Sequence, residues 1–292
     1  MIGVIDERYS RLAAEHLPSD LAGRWIALLR PGVRLRRAGA GEQVVAVLGG
    51  APELPSGVDW PDWPGVGPLS FIASVRCAAL PAAGRSPGFP PDGTLLFFYF
   101  DGRVESDGDD GPAFVSIYDP ATWVGARVLY VPEGTPVFPA DVPRGPAPYP
   151  RVELAAEVEQ SAPDLWLPQV RRALLGTDDP WPEPREIPAA LRPFRRAFAK
   201  LNSHIGHRIG GHAAPIQGPV EYEAAAAELG IERLWGDPQL DAAATHWVLL
   251  AQFDSDEAAG MEWADTGTLY WLIHPEDLAD RNFTRTRLIT QS

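Results

Sequence analysis

Three short motifs occur twice in this chain, in the same order each time. The first is an aliphatic residue followed by Gly-Gly and a nearby Ala-Pro, and the second is a short apolar run. The third is Gly-Thr-Leu followed by further apolar residues. The matches pair residues 48–52 with 209–215, 71–75 with 249–253, and 93–98 with 267–272. An ordered set of this kind indicates internal duplication, which limits the chain to a fold made of two diverged copies of one unit.

The repeated unit is rich in predicted strands. Runs of branched and aromatic residues bounded by Gly and Pro predict strands at 43–48, 69–75, 94–100, 114–118, 127–131, 246–253 and 268–273. The glycine pairs permit a sharp turn after a strand, and each copy has an apolar sheet face that the other can cover. We therefore expect an α+β fold of duplicated, largely antiparallel β units, packed with pseudo-two-fold symmetry and flanked by helices.

Helical periodicity predicts amphipathic helices over residues 5–17, 189–201 and 219–230. Pro193 suits the first turn of the second helix, and Gly230 suits the end of the third. The stretch between the two repeats is predicted to be largely helical. The expected organisation is one globular unit over 1–292, made of a first β-rich repeat at 19–150, a helical connector at 151–203 and a second β-rich repeat at 204–292.

The charge balance argues against two classes of partner. The chain has 25 Lys and Arg against 39 Asp and Glu, a formal net charge of −14. A nucleic-acid binder usually presents a basic face, and the short arginine groups at 34–37 and 192–196 are interpreted as solvated surface. The negative field repels anionic membranes and favours a basic partner. No run approaches the roughly 18–20 apolar residues that cross a bilayer.

Cysteine usage and the first residues bear on the compartment. Cys77 is the only cysteine, so no intrachain disulfide can form, which fits a reducing compartment. The first residues are acidic and lack the apolar run of a signal peptide. We expect a cytoplasmic protein.

The motifs resemble those of the YwqG-like family, a bacterial family of unknown function. The resemblance is carried by GGAPELPSGVDWP, GPLSFIASV and GTLLFFYFD in the first half, and by HRIGGHAAPIQ, LLAQFDSD and MEWADTGTLYWLI in the second. It implies a duplicated, largely antiparallel α+β fold and brings no established activity. This chain departs from the family at Ser74, where Gln is common, and at Ala264, where Gly is common. Gln252, the repeat partner of Ser74, keeps the amide.

Three histidines lie close together in the sequence, namely His204, His207 and His212. Neutral imidazoles bind zinc, but these spacings differ from the i, i+4 pair of a zinc protease helix. We interpret the histidines as turn and cap residues, and we expect no metal and no cofactor.

Two acidic loops carry carboxylates of the kind that bind Ca²⁺. Their residues are Glu105, Asp107, Asp109 and Asp110 in the first loop, and Asp254, Asp256 and Glu257 in the second. Neither loop has the ligand spacing of a calcium loop, so both are interpreted as solvated turns. Cys77 lies among apolar residues and is interpreted as an inert core thiol.

One group of aromatic and polar residues lies at the ends of the repeated strands. It consists of Trp60, Trp63, Gln217, Gln252, Asp254, Trp263 and Asp265. If the halves pack symmetrically, these side chains line one shared cleft suited to a small polar ligand or a peptide. The alternative is that the Trp rings belong to the core and the polar groups bond to loop backbone.

Three hypotheses for function remain open at this point. The first is a non-catalytic binding or protein-interaction module, including an immunity protein that blocks a basic toxin, with a protein or a small polar ligand as partner and neither nucleic acid nor membrane. The second is a hydrolytic or metal-dependent enzyme that uses Asp254, Asp265 or the histidines between 204 and 212 at the repeat interface. The third is a structural protein whose loops complete the core.

Overall fold

The computed structural model describes residues 7–103, 114–144, 147–177, 188–202, 206–231 and 237–292. The helices in these ranges, α1 to α7, span Arg8–His16, Ser19–Ile26, Pro168–Leu175, Arg192–Leu201, Val220–Leu229, Pro238–Ala244 and Pro275–Ala279. The strands, β1 to β14, span Arg30–Arg37, Ala46–Leu48, Glu53–Pro55, Asp62–Trp63, Gly67–Pro68, Ser70–Arg76, Thr94–Tyr99, Ala126–Val131, Val137–Pro139, Val152–Ser161, His207–Ile209, Val248–Asp254, Thr268–Ile273 and Arg287–Gln291.

Ten of these strands form one sheet in which every pair is antiparallel. Its order is β14-β13-β12-β11-β1-β10-β2-β6-β7-β8. The remaining strands form two small ribbons, β3 with β9 and β4 with β5. Together with the helices, this sheet confirms the predicted α+β class and its largely antiparallel pairing.

The strand at the middle of the sheet contradicts the first part of the predicted helical connector over 151–203. Val152–Ser161 is strand β10. Its Ala and Glu residues favour helices in isolation, yet Val, Leu, Ala and Val alternate with other residues from position 152 to 158. This alternation suits a sheet with one face on a core, and β10 bonds to β1 on one side and β2 on the other. Pairing on both sides outweighs the local helical propensity.

The sheet has a first arm of β2, β6, β7 and β8 and a second arm of β11, β12, β13 and β14, on either side of β1 and β10. It is curled so that the two arms face each other across one apolar core. The ring of Phe97 on β7 lies 5.0 Å from that of Phe253 on β12 and 5.5 Å from that of Trp271 on β13. The two strands at the ends of the sheet, β14 and β8, also lie near each other. The Arg287 guanidinium of β14 is 3.8 Å from the ring of Trp123, just before β8. The interior of the curl is therefore filled with side chains.

The two arms are covered differently on their outer faces. Helices α1 to α6 supply most of the apolar cluster that covers β12, β13 and β14. The outer face of β6, β7 and β8 is covered by the two small ribbons and by loop residues, among them Leu54 on β3, Trp63 on β4 and Trp60. The surface of the second arm is thus a helical layer, and the surface of the first arm is built from small ribbons and loops.

The repeated motifs occupy matching places in the two arms. A bulge interrupts the pairing of β6 with β7 at Ile72, and another interrupts the pairing of β12 with β13 at Leu250. The N–H of Gly49 donates to the carbonyl of Ile72 at 2.9 Å, and that of Gly210 donates to the carbonyl of Leu250 at 3.1 Å. Both glycine pairs have positive φ angles, which is the conformation that glycine tolerates best.

Most other local predictions are confirmed. Six of the seven predicted strands and all three predicted helices are present, with ends that shift by a few residues. The segment 114–118 is not a strand; it ends in a turn. The sequence patterns missed β1, β3, β4, β5, β9, β11, β14, α2, α6 and α7, which are short or strongly charged. Among the described residues, no helix combines the length and the apolarity that a bilayer crossing requires.

We expect Gly49→Ala to destabilise the protein more than Gly57→Ala. Both glycines have positive φ angles, so each alanine costs about 1–2 kcal/mol of backbone strain. A Cβ on Gly49 would also overlap the carbonyl oxygen of Pro150, whereas a Cβ on Gly57 meets no atom within 4 Å. Urea unfolding should show Gly49→Ala to be about 1–3 kcal/mol worse, the usual cost of overpacking. Equal losses would contradict the close packing at this corner.

Candidate functional site

A groove of about 500 Å³ crosses the outer face of the first arm. Its floor is formed by β2, β6 and β7, and its walls by the segment after β2 and by β9. We call it the sheet groove. It is lined by Val47, Gly49, Ala51, Pro52, Glu53, Phe71, Ser74, Arg76, Thr94, Leu96, Val131, Val137, Pro139 and Arg151.

The register of the strands brings polar side chains together on this floor. Ser74 pairs with Leu96, and Arg76 pairs with Thr94, across β6 and β7. Thr94 pairs in turn with Val131 on β8. Alternate residues of a strand share one face, so hydroxyl groups and a guanidinium project from the same surface as an apolar floor. Such a surface can bond to backbone or polar groups while burying apolar ones.

Two guanidinium groups give the groove a positive rim inside an acidic protein. Arg76 is exposed and donates a hydrogen bond to the carbonyl of Val44. Arg151 lies 2.9 Å from Glu153, and both side chains are more than half exposed. An exposed ion pair contributes little to stability, so Arg151 can exchange this partner for another carboxylate. Glu53 is the one acidic side chain among the lining residues.

The matching face of the second arm is closed by the chain itself. Gln252, the counterpart of Ser74, is fully buried. Its Oε1 accepts a hydrogen bond from the N–H of Ala214 at 3.0 Å, and its Nε2 donates to the carbonyl of Gly206 at 2.8 Å. The Tyr270 hydroxyl, at the counterpart of Leu96, donates to the carbonyl of Ala214 at 2.9 Å. Sheet side chains therefore hold an extended backbone segment in place.

Helix α5 completes the cover over the second arm. Gln291 on β14 accepts hydrogen bonds from the N–H groups of Ile216 and Gln217 through its Oε1. Its Nε2 donates to the Glu223 carboxylate of α5 at 2.6 Å. The first arm has Val131 at the position that corresponds to Gln291, and no described helix lies over it. The sheet groove is the space that remains.

Three of the predicted site residues lie in this closed region of the second arm. Gln252 has the two bonds described above, and Gln217 is an exposed residue whose N–H donates to Gln291. The carboxylate of Asp254 accepts hydrogen bonds from the Gly206 N–H at 2.9 Å and the Thr268 hydroxyl at 2.8 Å. These contacts hold the backbone at Gly206, just before β11, and leave the side chains of Gln252 and Asp254 engaged within the fold.

The other predicted site residues lie elsewhere. Trp60 and Trp63 pack on the outer face of the first arm, with rings 5.5 Å and 5.3 Å from those of Phe98 and Phe100. Trp263 is 2% exposed and lies in the interior of the curl. Asp265 is exposed in a turn. The seven residues are thus spread over both arms and the core, and the sheet groove is lined by none of them.

The histidines and the cysteine have local structural partners. His207 Nδ1 accepts a hydrogen bond from the Asp254 N–H at 3.1 Å, and its Nε2 lies 3.4 Å from Asp256, whose pKa this contact lowers to about 2. Burial lowers the pKa of His212 to about 3, and its Nε2 lies 2.9 Å from the carbonyl of Leu28. Burial raises the pKa of the Cys77 thiol to about 12, so it is unreactive at neutral pH.

Metal ligands are not clustered in the described part of the chain. No group of three or more His, Cys, Asp or Glu side chains there is placed to hold a metal ion. His204 and the loop that carries Glu105, Asp107, Asp109 and Asp110 lie outside the described residues.

Two carboxyl groups, the buried Glu221 and the half-buried Asp164, were not singled out by the sequence. Burial raises the pKa of Asp164 to about 6 and that of Glu221 to about 7. The negative charge of Asp164 adds to the shift at Glu221, while Arg30 opposes it. The Oε2 atom of Glu221 is buried without a hydrogen-bond partner. A Glu in the first turn of an Ala-rich helix suggests a solvent-facing side chain, so only the packing reveals this site.

A family model described as Domain of unknown function (DUF1963) matches residues 46–291. The chain belongs to this family. The match covers every residue that lines the sheet groove and both arms from β2 onward, while α1, α2 and β1 precede it. No curated protein matches the chain, so the DUF1963 assignment brings no activity, and the function has to be argued from the site.

The sequence did not predict the groove residues of this DUF1963 protein, although the difference between Ser74 and Gln252 indicated one of them. Ser74 occupies the motif position that holds Gln252 in the second half of the chain, and its shorter side chain leaves room there. Arg76 and Thr94 lie at the ends of predicted strands, where a polar residue is ordinary. Arg151 comes from a distant part of the chain, so its proximity follows from the pairing of β10 with β2.

We expect Gln252→Ala to cost about 2–4 kcal/mol of stability and Ser74→Ala to change it by less than about 0.5 kcal/mol. The first substitution leaves the Ala214 N–H and the Gly206 carbonyl without their bonds to Gln252, and each unsatisfied buried group costs about 1–3 kcal/mol. The second removes a hydroxyl that faces an open groove. Chemical denaturation of the two variants measures the contrast. Similar losses would show that the two faces are equally closed.

We expect Glu221→Gln to stabilise the protein in a pH-dependent way. Because the folded-state pKa is raised from 4.5 to about 7, the neutral carboxyl favours folding below about pH 4.5, and this contribution is lost as pH rises through 7. The variant should match the parent protein at pH 4.5 and exceed it by about 3 kcal/mol at pH 8. The exposed Glu262 provides the control, because Glu262→Gln should show no such trend in urea unfolding at the same pH values.

Proposed function

We propose that the two arms are diverged copies of one sheet unit, as the repeated motifs predict. Support comes from the bulges at Ile72 and Leu250 and from the paired glycine corners at Gly49 and Gly210. The same residues underlie the YwqG-like resemblance. On this reading, Gln252 and Ser74 are equivalent positions, and the two outer faces can be compared directly.

The protein is, on this proposal, a non-catalytic binding module whose site is the sheet groove. The observation that carries the proposal is the contrast between the two outer faces. In the second arm, sheet side chains bind the backbone of 206–217 and α5 lies above them. In the first arm, the equivalent floor is open and offers Ser74, Thr94 and two arginines. The outer face of the second arm holds an extended segment of the chain itself. The equivalent face of the first arm is open, so it is suited to hold a segment from another protein.

The charges of the groove favour an acidic segment. Arginine presents a planar fork of donors that matches a carboxylate in bidentate geometry, and Arg76 and Arg151 lie on the groove wall and rim. The hydroxyls of Ser74 and Thr94 can donate to backbone carbonyls, as Tyr270 does in the second arm. The proposed occupant is an extended segment of a protein partner with carboxylate side chains.

The net charge of the whole chain restricts the partner further. At −14, the protein repels an acidic macromolecule and attracts a basic one at long range. The acidic segment therefore belongs to a protein that is otherwise basic. An immunity protein that binds a basic toxin is one form of such a module.

The enzyme hypothesis gains little from the residues on which it was based. The Asp254 carboxylate bonds to Gly206 and Thr268, and the lowered pKa of His212 makes its imidazole neutral at pH 7. Asp265 lies in an exposed turn away from the groove. No specific observation on these side chains favours hydrolysis.

We expect an acidic extended peptide to bind the sheet groove. The probe is a labelled twelve-residue peptide of alternating Glu and Thr, measured by fluorescence anisotropy, with the Lys-Thr peptide as its charge-reversed counterpart. Arg76→Ala and Arg151→Ala should each weaken binding of the Glu-Thr peptide by about ten-fold or more, because a charge-assisted hydrogen bond contributes about 1.5–3 kcal/mol. The Lys-Thr peptide should bind weakly to all variants.

The matched control is Arg11→Ala, which removes an exposed arginine from α1 on the other arm and should leave the affinity unchanged. A second test blocks the floor with Ser74→Trp while leaving both arginines in place, and it should abolish binding. The proposal fails if the acidic peptide does not bind, or if it binds the Arg76→Ala and Arg151→Ala variants as tightly as the parent protein.

A further inference from the structure

A second cavity lies on the helical side of the molecule, in a region separate from the sheet groove. It has a volume of about 290 Å³ and lies between α3, α4, the segment 164–166 and residues Pro215 and Ile216. We call it the helical pocket. Its walls are mainly apolar, with Leu165, Trp166, Phe194 and Phe198 prominent among them. A pocket of this size with aromatic walls suits a small organic molecule.

One carboxylate borders the helical pocket. Asp164 Oδ1 accepts a hydrogen bond from the Trp166 N–H at 2.8 Å, and no described donor reaches Oδ2. Burial raises the pKa of Asp164 to about 6, although the hydrogen bond from the Trp166 N–H acts to lower it. The carboxylate thus lies in apolar surroundings without a countercharge of its own.

The other charged groups nearby do not supply that countercharge. Arg195 also borders the cavity, but its guanidinium does not affect the pKa of Asp164. The negative charge of Asp164 contributes to the raised pKa of Glu221. The Oε2 atom of Glu221 is buried without a hydrogen-bond partner. Arg30 acts on Glu221 and on His212. Asp164 is half-buried on the wall of the cavity, and no described positive group pairs with its carboxylate, which favours a cationic ligand.

We propose that the helical pocket binds a small organic ammonium ion with an apolar, aromatic body. The ammonium group pairs with the free oxygen of Asp164, and the body packs against Trp166, Phe194 and Phe198. Aromatic faces attract cations in addition to burying apolar surface. The site is independent of the sheet groove, so the two proposals stand or fall separately.

Three probes of similar shape and different charge test the proposal. They are 2-phenylethylamine, the neutral 2-phenylethanol and the anionic 3-phenylpropionate, each titrated calorimetrically into the full chain at pH 7. The amine should bind at least ten-fold more tightly than the alcohol. At pH 6, amine binding should release protons, because the ammonium favours the ionised form of Asp164. The release is measured from the dependence of the binding heat on the buffer.

Two variants separate the charge from the cavity. Asp164→Asn keeps an acceptor for the Trp166 N–H, so the segment should stay folded, but the preference for the amine over the alcohol and the proton release should both be lost. Ala199→Phe fills the exposed edge of the pocket on α4 and should abolish binding of all three probes. Asp265→Asn, in a distant exposed turn, should change nothing.

The proposal is overturned if none of the probes binds, or if the amine and the alcohol bind equally. It is also overturned if Asp164→Asn keeps the preference for the amine. Tighter binding of 3-phenylpropionate would assign the pocket to an anionic ligand held by Arg195, which is a different site.

Discussion

The antiparallel pairing of β1 with β10 holds the two arms of the sheet together. It runs without interruption from Arg30 opposite Ser161 to Arg37 opposite Leu154. On its other side, β1 pairs with β11 of the second arm, and β10 pairs with β2 of the first arm. Thus β1, from the first half of the chain, extends the second arm, and β10, from the second half, extends the first. Each half of the chain therefore needs a strand from the other, since removing one would leave an unpaired edge beside the apolar core.

The joined and curled sheet limits where a binding site can form. Because the sheet curls about Phe97, Phe253 and Trp271, its inner face is filled by tightly packed side chains. The two outer faces are free to differ, and they carry both open spaces of interest. Helices cover one face and border the helical pocket, whereas two small ribbons and loops cover the other face and leave the sheet groove. One sheet with two unequally covered outer faces gives the molecule two different surfaces.

Buried polar groups at the junction of the arms serve mainly to secure the fold. Glu159 on β10 accepts hydrogen bonds from Arg208 on β11 and from Arg8 on α1, and Arg208 also donates to the carbonyl of His212. These charges satisfy one another, so their removal would leave a buried charge unpaired. Asp164 and Glu221 differ from them, because neither contacts a group of opposite charge among the described residues. That difference, rather than burial itself, makes Asp164 the candidate for ligand binding.

Local sequence patterns predicted the α+β class, the longer strands and helices, and the glycine corners at Gly49 and Gly210. These features depend on neighbouring residues and on the alternation of apolar residues along the chain. The patterns were insufficient for β10, whose Ala and Glu residues favour a helix until two flanking strands supply its hydrogen bonds. They also could not place the sites. Arg151 and Arg76 line one groove because β10 pairs with β2 and β2 pairs with β6. Asp164 borders a cavity because α4 and the segment at Pro215 lie around the same space. Contacts between distant segments depend on the complete packing of the chain, and no local pattern records them.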